Sequence, residues 1–103
     1  MTRIKCVNDR GNYQIDIEGH AYYNPGGIDL VCSAISALTG TLMSALENVN
    51  DLQKKIRCEY GDVHISISPE RRMQEEVNTI VRTIMIGYAM LADGYPDNVE
   101  MEW

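Results

Sequence analysis

The sequence predicts an α+β fold, a two-layer sandwich in which a mainly antiparallel sheet is covered by two helices in the order ββαββαβ. Three observations carry this reading: two pairs of period-two segments with short polar breaks, two long stretches with apolar residues at helical spacing, and a short alternating piece at the end. The chain has 103 residues, 45% of them hydrophobic and 23% charged, which fits a single domain spanning residues 1–103. A chain of this size can bury enough surface to fold without disulfides or a metal.

Taken in order, Ile4 and Cys6, then Tyr13, Ile15 and Ile17, alternate with polar Arg3, Lys5, Gln14, Asp16 and Glu18. The break at Asn8-Asp9-Arg10-Gly11-Asn12 makes this a hairpin. The segment Gly19 to Ile28 is rich in residues that break regular structure and reads as a long, mobile loop. Asp29 occupies an N-cap position, and Val31, Ile35, Leu38, Leu42, Ala45 and Val49 follow at helical spacing to Asn50. The opposite face of that helix carries Ser33, Ser36, Gly40 and Ser44 and no charge, so it is expected to be covered by the second helix or by another copy of the chain, as in a homodimer.

A second hairpin follows: Ile56, Cys58 and Tyr60 alternate with Lys55, Arg57 and Glu59, Gly61-Asp62 forms the turn, and Val63, Ile65 and Ile67 alternate with His64, Ser66 and Ser68. Pro69 sits where proline is favoured at a helix start. Met73, Val77, Ile80, Val81, Ile84, Met85, Tyr88 and Leu91 then form an apolar stripe that Gly94-Tyr95-Pro96 ends. Val99, Met101 and Trp103 read as a closing strand. From Asp93 onward the chain has acidic groups and no basic one, a pattern of a solvated sheet edge or of an edge that repels wrong partners.

Asp and Glu outnumber Lys and Arg by 15 to 9, giving a net charge of −6, so phosphate neutralisation cannot organise this surface and no direct nucleic-acid partner is expected. Met1 to Lys5 runs straight into a strand pattern without an apolar leader, and the uncharged run from Leu30 to Leu46 is short for a span and carries Ser33, Ser36, Thr39, Gly40, Thr41 and Ser44. A cytoplasmic protein without membrane contact is the expectation. The three cysteines, Cys6, Cys32 and Cys58, are odd in number and widely spaced, as free thiols would be. A zinc site from Cys6, Cys58 and His64 matches no ligand spacing, and both cysteines are expected to pack inward, so no metal or cofactor is assigned. His64 lies on the polar strand face with no partner evident from sequence.

Cys32 carries the chemistry. With Asp29 as N-cap it is the third helical residue, where unpaired N–H groups and the helix dipole stabilise an anion, and the thiolate is the nucleophilic form. His20, on the preceding loop, can fold over the helix start, take the thiol proton and return it to a leaving group. The plainer alternatives are a small core cysteine and a solvated histidine.

The segments Gly19-His20-Ala21 and Gly27-Ile28-Asp29-Leu30-Val31-Cys32-Ser33-Ala34-Ile35-Ser36 resemble the signature of the ribosomal-processing cysteine protease family, the Prp proteins, in identity, order and spacing. The resemblance implies an endopeptidase with Cys32 as nucleophile and His20 as catalytic histidine. It also implies a protein substrate: a large-subunit ribosomal protein with a short N-terminal extension or, for phage relatives, a capsid or scaffold protein. Ser33 departs from the commoner alanine.

Asp29 and Ser36 match further motif positions. Asp29 would cap the helix or orient His20, turned away from the sulfur, and Ser36 would bond back to the carbonyl of residue 32 or meet the substrate backbone. Gly26 or Gly27, with the helix-start N–H groups, would receive the oxyanion, and Tyr22 and Tyr23 would line a subsite or anchor the loop. Two rivals use the same residues: a non-catalytic peptide-binding module in which Cys32 is structural, and a thiol enzyme acting on small molecules.

Overall fold

The structure, a computed structural model, describes residues 1–103. Strands β1 (Thr2–Asp9) and β2 (Asn12–Glu18) form the first hairpin, and helix α1 (Leu30–Glu47) follows the loop. Strands β3 (Leu52–Glu59) and β4 (Asp62–Pro69) form the second hairpin, and a 3-10 turn (Arg71–Met73) leads into helix α2 (Gln74–Gly94) and strand β5 (Val99–Glu102). The sheet order is β3-β4-β2-β1-β5, antiparallel except for the β1–β5 pair. This is the expected α+β architecture.

Period-two alternation decides which face is buried. Ile15 stands opposite Cys6 on one side and Ile65 on the other, and Ile17 opposite Ile4 and Val63, so these side chains share the inner face. Helix residues Val31, Ile35, Leu42 and Leu46 and, from α2, Val77, Val81, Ile84, Met85 and Tyr88 close over them in one hydrophobic cluster. Each fully buried aliphatic of this kind stabilises the fold by about 1.5–3 kcal/mol. Inside the cluster the Tyr88 hydroxyl lies 2.6 Å from Thr39 Oγ1, which donates to the Ile35 carbonyl at 2.8 Å. Burial pushes the Tyr88 phenol up to about 12.

Several boundaries differ from the sequence reading. Helix α1 stops at Glu47 because Asn48 leaves helical geometry, its N–H reaching back to the Ala45 carbonyl, so Val49 and Asn50 lie in the turn. Pro69 is the last residue of β4 and not the first of α2: it faces Leu52 on the neighbouring strand, and the helix begins only after the 3-10 turn. Tyr60 and Gly61 make the second hairpin turn, with Asp62 already paired to Glu59. Cys58 shares the face of its partner Val63, yet it is exposed, near the end of an edge strand that has β4 as its one neighbour.

The outer sheet face is polar. There the His64 Nδ1 lies 2.6 Å from Asp16 Oδ1, a partner that the register with β2 supplies, and its Nε2 2.6 Å from Oδ1 of Asp62, two residues away on the same strand. Hydrogen bonds to Asp16 and then Asp62 raise the His64 imidazole above its ordinary value. Cys6, by contrast, packs against the core, and burial raises its thiol to about 11. The face of α1 bearing Ser33, Ser36 and Ser44 is open in the single chain, whereas Leu38 packs against Gly87 of α2. Helix α1 is long and apolar enough to cross a membrane by length and composition, but its stripe from Val31 to Leu46 is buried against the sheet.

Candidate active site

The site is built where β2 hands over to α1. Asp29 is extended (φ −94°, ψ 98°) and its Oδ1 accepts the Cys32 N–H at 2.9 Å, which starts the helix at Leu30 and fixes Cys32 as its third residue. The second carboxylate oxygen accepts the Tyr23 N–H at 3.0 Å, so the same side chain closes the loop. Desolvation opposes the charge on Asp29, but the N–H groups of Cys32, Tyr23 and Val31 outweigh it and hold the carboxyl below the usual range. The Cys32 thiol adds to that effect. Both oxygens of Asp29 engage this loop and helix start, and neither bonds to His20.

Gly19 ends β2 with φ +87°, a conformation that favours glycine, and donates its N–H to the Gly61 carbonyl at 2.9 Å. That bond brings the second hairpin turn beneath His20. The imidazole lies against the Tyr60 ring, centroids 4.5 Å apart, and meets Tyr22 edge-on at 5.9 Å. No hydrogen bond joins the imidazole to the Cys32 thiol; both side chains line one cavity of about 340 Å³, together with Ser36, Cys58, Tyr60 and Gly61. The sulfur instead accepts the Ala21 N–H at 3.3 Å.

The other loop residues are tied locally. Gly27 donates its N–H to the Asn24 carbonyl at 3.1 Å, and Asn24 Nδ2 donates to the Ile28 carbonyl at 3.1 Å, so the segment read as mobile carries its own closing bonds. Gly26, in the left-handed region at φ +83°, is exposed. Tyr22 rests on His20, and Tyr23 meets Tyr95 edge-on with centroids 5.2 Å apart. Ser36 is exposed on the cavity wall and makes no bond to the carbonyl of Cys32, in contrast to the back-bonding of Thr39 and Thr41 on the same helix. Cys6, Cys58 and His64 do not converge: Cys6 packs against the core, Cys58 lines the cavity, and His64 stands on the outer sheet face.

Sequence reasoning missed Tyr60, Gly61, Asn98 and Tyr95. An aromatic residue beside glycine at an exposed turn was a usable signal for the first pair, since Tyr60 is 94% exposed. Asn98 donates its Nδ2–H to the Ala21 carbonyl at 2.9 Å, and nothing in the local pattern foretells a contact across the whole chain.

The profile of the family described as Cysteine protease Prp matches residues 1–100. The Ribosomal processing cysteine protease Prp of Staphylococcus aureus is 22% identical over 98 residues, covering 94% of this chain and 92% of that protein. The crystal structure of the essential ribosomal processing protease Prp from S. aureus with a covalently linked product peptide shares the fold, with a TM-score of 0.84, 23% identity and coverage of 99% and 98% of the two chains. SMU.848 from Streptococcus mutans shares it with a TM-score of 0.79, 23% identity and coverage of 99% and 92%. The non-catalytic module and the small-molecule thiol enzyme give way to a peptidase: the chain belongs to the cysteine protease Prp family and is a cysteine protease.

Proposed function

We propose that this protein removes a short N-terminal extension from a large-subunit ribosomal protein, with Cys32 as nucleophile and His20 as general base and acid. The observation that carries the reading is the opening of Cys32, third residue of α1, and His20 into one cavity in a chain of this family. The names of its relatives, ribosomal processing proteases, support the substrate class. A capsid or scaffold protein is the second substrate class, carried only by the motif resemblance.

The step runs as follows. The imidazole swings from Tyr60 toward the thiol and takes its proton, and the thiolate attacks the scissile carbonyl carbon. The protonated ring then gives its proton to the leaving amine, and the acyl group remains on sulfur as a thioester. Water, deprotonated by the same ring, hydrolyses the thioester and restores the thiol.

The Gly27 N–H, the Cys32 N–H and the Ala21 N–H already have partners in Asn24, Asp29 and the Cys32 sulfur, so the donors available to an oxyanion are narrowed to the remaining amides around the helix start. Exposed Ser36, on the cavity wall, is assigned to the substrate backbone, and Tyr22 and Tyr23 to holding the loop over His20 and against Tyr95. The uncharged open face of α1 supports a homodimer, the net negative charge supports a substrate that is protein and not nucleic acid, and the ribosomal-processing relatives support a cytoplasmic place of action.

The test is mass spectrometry of a ribosomal protein carrying its extension after incubation with wild-type enzyme, Cys32→Ala and His20→Ala. Cleavage by wild type and by neither variant is expected. Cleavage by Cys32→Ala removes the assigned nucleophile, and an intact ribosomal substrate beside a trimmed capsid or scaffold protein reassigns the substrate.

A further inference from the structure

We infer that Asn98 is a positioning residue for the nucleophile: it holds the Ala21 carbonyl and, through the buried Ala21 Cα, steadies the preceding His20–Ala21 peptide so that the Ala21 N–H stays aimed at the Cys32 sulfur. The inference rests on the reading of Cys32 as nucleophile and concerns how that sulfur is prepared.

Both peptide groups that flank the Ala21 Cα are held. The Ala21 N–H donates to Cys32 Sγ at 3.3 Å, and its carbonyl accepts from Asn98 Nδ2 at 2.9 Å. The residue is 1% exposed, so water does not replace Asn98 as a partner for that carbonyl. The neighbouring amides are tied to other groups, Gly19 N–H to the Gly61 carbonyl and Tyr23 N–H to Asp29, and the bond to the Ala21 carbonyl comes from Asn98. Asn98, in contrast, stands on a firm base independent of the loop. Its N–H donates to the Tyr95 carbonyl and its own carbonyl accepts the Thr2 N–H, both at 2.9 Å, which pins it at the start of β5 beside β1.

An N–H directed at sulfur stabilises negative charge there, and its effect depends on direction, which falls away as the peptide plane turns. Asn98 therefore acts through Ala21 on the electrostatics of the thiolate without touching substrate or sulfur. The edge contact between Tyr23 and Tyr95 fastens the loop to the same turn at a second point.

The three cysteines supply the assay. Iodoacetamide labelling across a pH series, quantified for each cysteine by peptide mass spectrometry, is compared in wild type, Asn98→Ala and Asn98→Asp, the last keeping size while removing the donor. Cys32 labelling at pH 7 is expected to slow about fivefold, the equivalent of about 1 kcal/mol, and its pH profile to move to higher pH. Exposed Cys58 is expected to label unchanged, and Cys6 to stay protected, reporting an intact fold. Cleavage is expected to lose kcat with KM little altered.

A Cys32 profile superimposable on wild type in either folded variant overturns the inference. Loss of Cys6 protection in both variants overturns it as well, because Asn98 would then act on stability. If Asn98→Ala alone unfolds, Asn98→Asp decides. Retained cleavage in Cys32→Ala removes the underlying nucleophile, whereas an unmoved Cys32 profile beside an inactive Cys32→Ala removes only the role of Asn98.

Discussion

Replacing Gly61 with alanine separates the seating of His20 from general stability. Gly61 has φ +72°, and a Cβ added there would lie 2.6 Å from His20 Nε2 and 2.8 Å from Cε1. Ordinary heavy-atom contact is about 3.5–4.0 Å, so the ring has to retreat by about 1 Å. The left-handed backbone adds about 1–2 kcal/mol of strain, which for a domain of this length corresponds to a fall in Tm of about 5–15 °C. A displacement of about 1 Å in a catalytic group costs about a hundredfold in rate.

Gly61→Ala is therefore expected to lower kcat/KM about a hundredfold while the protein still folds. The control is Gly11→Ala at the other hairpin turn, where φ is +89° and the added Cβ meets the flexible end of the Gln74 side chain. It is expected to lose comparable stability and keep wild-type cleavage. Paired melting curves and peptide-cleavage kinetics read both effects. Wild-type cleavage by Gly61→Ala, or an equal loss in Gly11→Ala, refutes the idea that this turn seats the imidazole.

Asp29→Ala removes the cap on Cys32 and the closure at Tyr23, an expected loss of about 2 kcal/mol in chemical denaturation. Because the folded carboxyl titrates below its unfolded value, near 3.8, the stability it contributes is complete above that value and disappears as pH falls through the depressed one. A variant with an unchanged denaturation midpoint between pH 3 and 5 contradicts this. His64 has the opposite sign: its folded imidazole is raised above 6.5, so its contribution is complete below that pH and disappears as pH rises through the raised value. His64→Gln is expected to flatten that limb of the stability profile, and NMR titration of the ring should place its midpoint above the unfolded one. Thr39→Val leaves the Tyr88 hydroxyl without its partner inside the core and is expected to cost about 1–3 kcal/mol, read from the shift in urea midpoint. Cys32→Ala is expected to melt as wild type and cleave nothing.

The elements were legible because each is written in a local period. Ile15, Ile17, Ile65 and Ile67 announce their face by alternation, and Val31, Ile35 and Leu42 by helical spacing. The helix start and the place of Cys32 in it followed from one capping residue, which the Asp29 geometry bears out. What stayed hidden depends on sheet order, which no period encodes. Alternation along its strand predicts a buried Cys58, but burial also needs a covering layer, and β3 lies at the edge. Pro69 was read as a helix start because the preference is local, while the pairing of β4 with β3 that retained it is not. Likewise His64 gained Asp16 only through the β2–β4 register, and Ala21 gained Asn98 only through the return of β5 beside β1.

That return of β5 has a consequence for timing. Synthesis delivers the sulfur and the imidazole early, in the first third of the chain, but the amide that orients the backbone between them comes only after α2 is complete. A nascent chain that has folded its first hairpin and α1 thus carries Cys32 and His20 before the Ala21 carbonyl has gained its partner. That bond, and with it the restraint on the backbone beside the sulfur, is completed only as the last strand joins the sheet.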